Sequence, residues 1–221
     1  MIKHILFDND GTLVDSEIIA VRAMLKHLAA HGLVIDEKTY SLRYPGLRER
    51  DILAALRVEF DLHLPDDLLK AVKAESAQTF RESLRSIRGM PTIFRKVTVP
   101  RSVVSNGSVR HVEISLRKVR LRKALDGHIF SAEHVENPKP APDLYRLALD
   151  TLRLEPEQVL VIEDSPTGVQ AAKTAGLTVV GFLGAAHIHE GHDDRLRQLG
   201  VDYLATDAKE LSALLEKWRV L

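Results

Sequence analysis

The sequence predicts an α/β fold: a doubly wound parallel sheet with a small helical domain inserted after the first strand. Three observations predict it. Short apolar, β-branched runs alternate with helical patterns over most of the chain, which is how a parallel sheet covered by helices is built. Between about residues 15 and 88 that alternation stops and only helical periodicity remains. The composition, 45% hydrophobic and 28% charged over 221 residues, is that of a folded globular protein with enough apolar mass for a sizeable core.

The first strand signal is Ile2-Lys3-His4-Ile5-Leu6-Phe7, closed by the acidic turn Asp8-Asn9-Asp10-Gly11. Ser16 then stands before a helical stretch in which Val21, Leu25 and Leu28 share one face, and Gly32 ends it. Pro45-Gly46 interrupts the chain ahead of a second helical stretch over 47–60. Asp66 or Asp67 starts a third, expected to reach about Ile87. Arg88-Gly89-Met90-Pro91 reads as a hinge back into the sheet domain. Strands are then expected at 101–105, 159–162, 178–183 and 203–205, with helices at 108–119, 142–152, 166–175 and 208–218. In the helix at 166–175, Pro166 opens and Gly176 closes, the usual punctuation of helix ends. The expected domains are therefore 1–14 with 89–221, and 15–88.

Several function classes are excluded early. Lys plus Arg and Asp plus Glu both number 31, so the net charge is zero and there is no electrostatic footprint for nucleic acid or an anionic membrane. Cysteine is absent, which removes disulfides, thiolate catalysis and cysteine zinc sites. Acidic residues arrive by position 8, leaving no room for an apolar signal core, and no apolar run reaches the ~18–20 residues of a membrane span. A cytoplasmic monomer acting on a small molecule is the expectation.

Four motifs carry chemistry. Asp8-Asn9-Asp10-Gly11-Thr12-Leu13-Val14-Asp15-Ser16-Glu17 follows the first strand. Two carboxylates this close repel, and a divalent cation would stabilise them. An EF-hand would place Asp8, Asp10 and Glu17 on its third, fifth and twelfth positions, but Leu6 would then occupy the first, and a strand precedes where a helix is needed. A plain solvated acidic turn is the remaining alternative. Val103-Val104-Ser105-Asn106-Gly107-Ser108 places a hydroxyl, an amide and backbone N–H groups at a helix start, which suits an anion, although it is also an ordinary turn.

Asn137-Pro138-Lys139-Pro140 stiffens the backbone around one lysine, suited to a fixed point charge or simply to a connector with a solvated lysine. Val159-Leu160-Val161-Ile162-Glu163-Asp164-Ser165-Pro166 repeats the first geometry, an apolar strand running into acids at a helix start. Together these form a constellation for Mg²⁺ and phosphate, since hard oxygen ligands suit Mg²⁺, which shares its coordination with water and substrate phosphate. His187, His189 and His192 raise the question of zinc. Lacking a helical carboxylate–histidine pattern, they read instead as a polar loop near the site entrance.

With all four motifs in this order over essentially the whole length, the chain resembles the haloacid dehalogenase superfamily of phosphotransfer enzymes. The helical insert resembles that superfamily's C1 cap, and Asp15-Ser16-Glu17 is wording typical of its capped phosphatases. The resemblance implies Asp8 as nucleophile and Asp10 as general acid/base, with Ser105, Asn106 and Lys139 on the transferring phosphoryl group. It implies Mg²⁺ held by Asp8, Asp164 and the carbonyl of Asp10, with Glu163 ligating or supporting the metal, and Glu17 on the substrate.

An acid at Asp10 argues for phosphoryl chemistry over dehalogenation. Ala20 stands where the superfamily's phosphoglucomutases place a histidine, which disfavours a mutase. Tyr44-Pro45-Gly46-Leu47-Arg48 looks most like sugar-phosphate and sugar-acid phosphate phosphatases such as 6-phosphogluconate phosphatase. Arg48 offers paired donors to a carboxylate or sugar hydroxyls; equally, beside Arg43 and Arg50, it reads as a solvated charge at a helix start. The function expected is a Mg²⁺-dependent phosphatase of a small phosphorylated metabolite, ahead of a sugar phosphomutase and of a catalytically silent binding protein.

Overall fold

A computed structural model describes residues 1–44 and 49–221. Six strands form one parallel sheet: β1 (His4–Phe7), β2 (Arg101–Ser105), β3 (Ile129–Ser131), β4 (Val159–Glu163), β5 (Thr178–Phe182) and β6 (Tyr203–Ala205). Their spatial order is β3-β2-β1-β4-β5-β6. The ten described helices are α1 (Glu17–Ala30), α2 (Glu37–Arg43), α3 (Glu49–Glu59), α4 (Leu68–Ser83), α5 (Met90–Lys96), α6 (Val109–Lys118), α7 (Asp143–Leu152), α8 (Pro166–Thr174), α9 (His192–Gln198) and α10 (Ala208–Lys217). Among the described residues, no helix is long and apolar enough to cross a membrane.

Parallel strands need helical crossovers, and a sheet covered on both faces needs strands apolar on both faces. β1 and β4 meet that demand, every residue in both being buried. They pair directly, with His4 opposite Val159 and Phe7 opposite Ile162. Leu6, Val104, Val161, Val179, Leu144 and Tyr145 share one continuous core. The strand order reverses direction between β1 and β4, and in open α/β sheets that switch point is where ligands collect, beyond the C-terminal strand ends.

The chain divides into two compact units: Met1–Asp15 with Arg85–Leu221, and Ser16–Leu84. Among its described residues, the second contains helices and no strand. Its interior joins Met24 and Leu28 of α1, Leu56 of α3 and Val72 of α4, with Tyr40 and Tyr44 packed at 5.7 Å between ring centroids. Asp36 caps α2 by accepting from Thr39 N at 2.9 Å.

Several elements differ from the sequence-based expectation. The third helix of the insert stops at Ser83 rather than near Ile87. Beyond it the chain is extended: Asp15 N donates to Arg85 O at 3.0 Å, Ile87 N donates to Leu13 O at 3.2 Å, and Val14 bridges Ser86 antiparallel. Asp15 and residues 85–88 thus belong with the first unit, because the two connecting segments satisfy each other's backbone. Residues 90–91, expected in a hinge, open α5, with Gly89 left-handed at φ 86° and Pro91 in the first turn, where its missing N–H costs nothing. The short β3 and α2 carry too few periodic residues to stand out in sequence.

Candidate active site

The strand β1 delivers Asp8 into the sheet's switch point. Its N–H still belongs to the ladder, donating to Ile162 O at 2.9 Å, so the carboxylate starts from a fixed backbone. The following turn closes on itself: Leu13 N and Val14 N both donate to Asn9 O, at 2.9 and 3.0 Å, and Gly11 N donates to Val14 O at 2.8 Å. Gly11 is required there twice over. Its φ is +89°, and a Cβ would lie 2.0 Å from Asp164 Oδ2. Thr12, fully buried, donates its hydroxyl to Asp164 Oδ1 at 2.9 Å, tying the first motif to the fourth.

Lys139 binds the constellation together. Its Nζ donates to Asp8 Oδ1 at 2.7 Å, to Glu163 Oε1 at 2.8 Å and to Val104 O at 2.8 Å, satisfying all three of its donors. The Tyr145 ring lies 5.2 Å from the same nitrogen. Asn106 holds the lysine's backbone from both sides: its Nδ2 donates to Lys139 O at 2.9 Å, and its Oδ1 accepts from Lys139 N at 3.0 Å. Its side chain is therefore engaged with the lysine. Ser105 Oγ accepts from Gly107 N at 2.9 Å and lies 3.4 Å from Asp10 Oδ2.

Glu163 is wholly buried, and both oxygens are committed, one to Lys139 and the other to Ser165 N and Oγ at 2.7 and 3.0 Å. A Cβ at Gly168 would fall 1.5 Å from Glu163 Oε1, so the α8 backbone lies directly against this carboxylate. Asp10 is held on both oxygens: Asn9 Nδ2 donates to Oδ2 at 3.0 Å, and His111 Nε2 lies 2.9 Å from Oδ1.

The electrostatics are unbalanced. Burial pushes the Asp8 carboxyl well above its ordinary range; Glu163, Asp164 and Asp10 add to the push, and Lys139 opposes it. Burial alone would lower Lys139, yet Asp8 and Glu163 hold it well above the ordinary lysine value, so the ammonium stays charged. One buried cation faces several carboxylates, and a divalent cation would correct the excess. The available donors fit Mg²⁺: the Asp8 and Asp164 carboxylates and the Asp10 carbonyl are hard oxygens. Among the described residues, no three His, Asp or Glu side chains already form a metal cage.

Asp8, Asp10, Ser105, Asn106, Lys139, Glu163 and Asp164 are thus brought together at the ends of β1, β2 and β4. Glu17 opens α1 in the second unit and is exposed. Arg48 lies outside the described residues. Sequence reasoning missed Thr12 and His111. The signal for His111 was its place in the first turn of the helix that follows the Ser-Asn-Gly strand end, a turn capped by Ser108 accepting from His111 N at 3.1 Å. His187 and His192 also reach this site. His187 Nε2 is 3.4 Å from Asp164 Oδ2, and His192 Nε2 is 2.6 Å from Asp164 O. Burial lowers the His192 pKa.

Comparison with known proteins gives a consistent result. The family model described as haloacid dehalogenase-like hydrolase matches residues 5–182. The chain is 29% identical over 187 residues to 6-phosphogluconate phosphatase of Escherichia coli, covering 84% of this chain and 85% of that one. It is 31% identical over 182 residues to a phosphorylated carbohydrates phosphatase of Thermotoga maritima, covering 79% and 82%. A crystal structure of a HAD family hydrolase from Deinococcus radiodurans, with bound phosphate and sodium, superposes with a TM-score of 0.90 at 32% identity. That match covers 100% of this chain and 97% of the other.

Proposed function

The chain belongs to the haloacid dehalogenase-like hydrolase family and is an enzyme of its phosphatase kind, and on that premise we propose that it is a Mg²⁺-dependent phosphomonoesterase of a sugar or sugar-acid phosphate. The observation that carries the reading is Lys139 held between Asp8 and Glu163, at 2.7 and 2.8 Å, at the switch point of the sheet.

Asp8 is the nucleophile. A carboxylate needs no base to activate it, and attack splits one displacement into two easier ones. An Asp8 oxygen bonds to phosphorus as the phosphorus–alkoxide bond breaks, and Asp10 gives its proton to the departing oxygen. Water then attacks the aspartyl-phosphate, Asp10 takes the water's proton, and inorganic phosphate leaves with both residues restored. Lys139 and the Ser105 strand end neutralise and position the phosphoryl oxygens. Asp8, Asp164 and the Asp10 carbonyl would hold Mg²⁺, which would supply charge that lets one anion approach another. Glu163 keeps Lys139 in place.

We assign recognition of the rest of the substrate to the second unit as a cap, through Glu17 and Arg48. Its support is an insertion between Asp15 and Arg85 whose described elements are all helices. Ala20, within α1, offers no acid or base for returning a phosphoryl group, which favours hydrolysis over mutase chemistry.

The test is turnover of p-nitrophenyl phosphate and of a panel of sugar and sugar-acid phosphates, with Mg²⁺ and with chelator. Mg²⁺-dependent phosphate release, lost in Asp8→Asn by roughly a thousandfold or more with the fold retained, is the expected result. Turnover that survives Asp8→Asn or chelation overturns the mechanism. Arg48→Ala is expected to lower kcat/KM for the best anionic metabolite by ~10–100-fold and to leave the aryl phosphate nearly unaffected.

A further inference from the structure

The loop between β5 and α9, together with the first residue of that helix, carries three histidines that the proposed chemistry does not use. It is not loosely attached. Leu183 N donates to Ala205 O at 2.8 Å, Ala186 N to Asp15 Oδ1 at 3.1 Å, and Ile188 N to Ala185 O at 3.2 Å. At its far end, His192 N donates to His189 O at 3.2 Å. Two of its imidazoles converge on one residue. His192 Nε2 donates to the main-chain oxygen of Asp164 at 2.6 Å, and His187 Nε2 lies 3.4 Å from Oδ2 of the same residue. The two rings stand edge to face, with centroids 6.4 Å apart and planes at 87°.

Asp164 is consequently gripped on three sides. Thr12 holds Oδ1, His187 faces Oδ2 and His192 holds the backbone, while Oδ2 fills the space a Cβ on Gly11 would need. Asp164 sits just beyond the last residue of β4, where the ladder no longer dictates its conformation. A carboxylate in that position has a rotamer to choose and a backbone that is free to tilt. Partners on its oxygens remove both freedoms. Metal sites spend outer hydrogen bonds on this task, since a ligand already aimed loses less entropy when the ion arrives.

We propose that His187 and His192 are positioning residues that hold Asp164 in the conformation Mg²⁺ requires. This rests on reading Asp164 as a metal ligand. Neither histidine needs to touch the ion. Imidazole nitrogen is a poor match for Mg²⁺, whereas an N–H donor to a ligating residue is a common supporting arrangement.

The test measures Mg²⁺ binding directly, by isothermal titration of MgCl₂ into the metal-free protein without substrate. His187→Ala and His192→Ala are each expected to weaken Mg²⁺ affinity by roughly 10–100-fold. His192→Gln keeps an N–H donor at similar reach and is expected to recover most of the loss. Melting of the metal-free proteins separates positioning from folding: a purely structural role lowers the metal-free Tm and leaves Mg²⁺ affinity unchanged. Should an alanine variant fail to fold, His187→Asn and His192→Gln decide in its place. Wild-type Mg²⁺ affinity in all folded variants overturns the inference and spares the metal reading. A wild-type protein that binds no Mg²⁺ overturns both.

Discussion

His111 and Asp10 stand 101 residues apart in the chain, yet His111 Nε2 lies 2.9 Å from Asp10 Oδ1. The contact joins the first turn of α6 to the turn after β1, so the residue proposed to move protons is held by a helix of a different motif. A proton-transfer group must point one way, and Asp10 is the more exposed member of the acidic pair that follows β1. His111→Ala is expected to lower kcat for an alkyl phosphate by about 10–100-fold, the worth of one charge-assisted hydrogen bond. An aryl phosphate with a good leaving group should lose less in its first step. Equal losses in single-turnover measurements on both substrates would count against a role in protonating the leaving group.

Lys139→Met removes the cation that is paired with both Asp8 and Glu163 and leaves two buried carboxylates facing each other. Breaking a buried ion pair by deleting one partner costs about 3–5 kcal/mol. Urea unfolding of the metal-free variant should show a loss of that size, together with loss of turnover. Mg²⁺ should restore part of the stability. A variant as stable as wild type would mean that Asp8 and Glu163 simply take up protons.

Gly11→Ala tests how closely the first and fourth motifs approach. The new methyl would demand space occupied by Asp164 Oδ2 and would sit on a backbone at φ +89°. A non-glycine residue held in a sparsely populated backbone region costs on the order of 1–3 kcal/mol. Displacement of Asp164 should raise the Mg²⁺ concentration needed for half-maximal turnover. A Gly11→Ala protein with wild-type stability and Mg²⁺ response would show that the turn relaxes freely.

His4 gives a pH signature away from the site. Burial lowers its pKa to about 4, and its Nε2 is 2.9 Å from Ser102 Oγ. Between the unfolded value near 6.5 and the folded value the unfolded chain binds more protons, so stability falls as pH drops through that window. The expected loss is on the order of 2 kcal/mol. His4→Gln keeps a polar partner for Ser102 without the titration. Urea midpoints at pH 6.5, 5.5 and 4.5 should fall less steeply in the variant; parallel profiles would dismiss His4 as the source.

Much of the sheet was legible because parallel strands buried on both faces are written as short apolar runs. 101–105 and 203–205 were expected as strands and are β2 and β6. The acids after β1 and β4 were legible for a related reason: polar residues that abruptly end an apolar strand have few structural uses. Thr12 and His111 were not, since a threonine in a turn and a histidine in a helix turn are ordinary surface chemistry in sequence; His187 and His192 were legible only as a polar loop near the site entrance.

By itself the amino-acid sequence determined the alternating architecture, the interrupting helical segment and the residue types of the four motifs, because periodicity and composition are local properties of the chain. Only the tertiary structure decided which side chains meet. The β3-β2-β1-β4-β5-β6 order sets β1 between β2 and β4: the segment after β3, held by Asn106 beyond β2, brings Lys139 within 2.7 Å of Asp8, 131 positions away, and the end of β4 brings Asp164 within reach of Thr12. It also decided that Asn106 grips the Lys139 backbone and that His187 and the helix-starting His192 close on Asp164. Those pairings depend on crossovers that fold distant segments onto one sheet edge, and buried charges tolerate only arrangements in which nearly every donor and acceptor is matched.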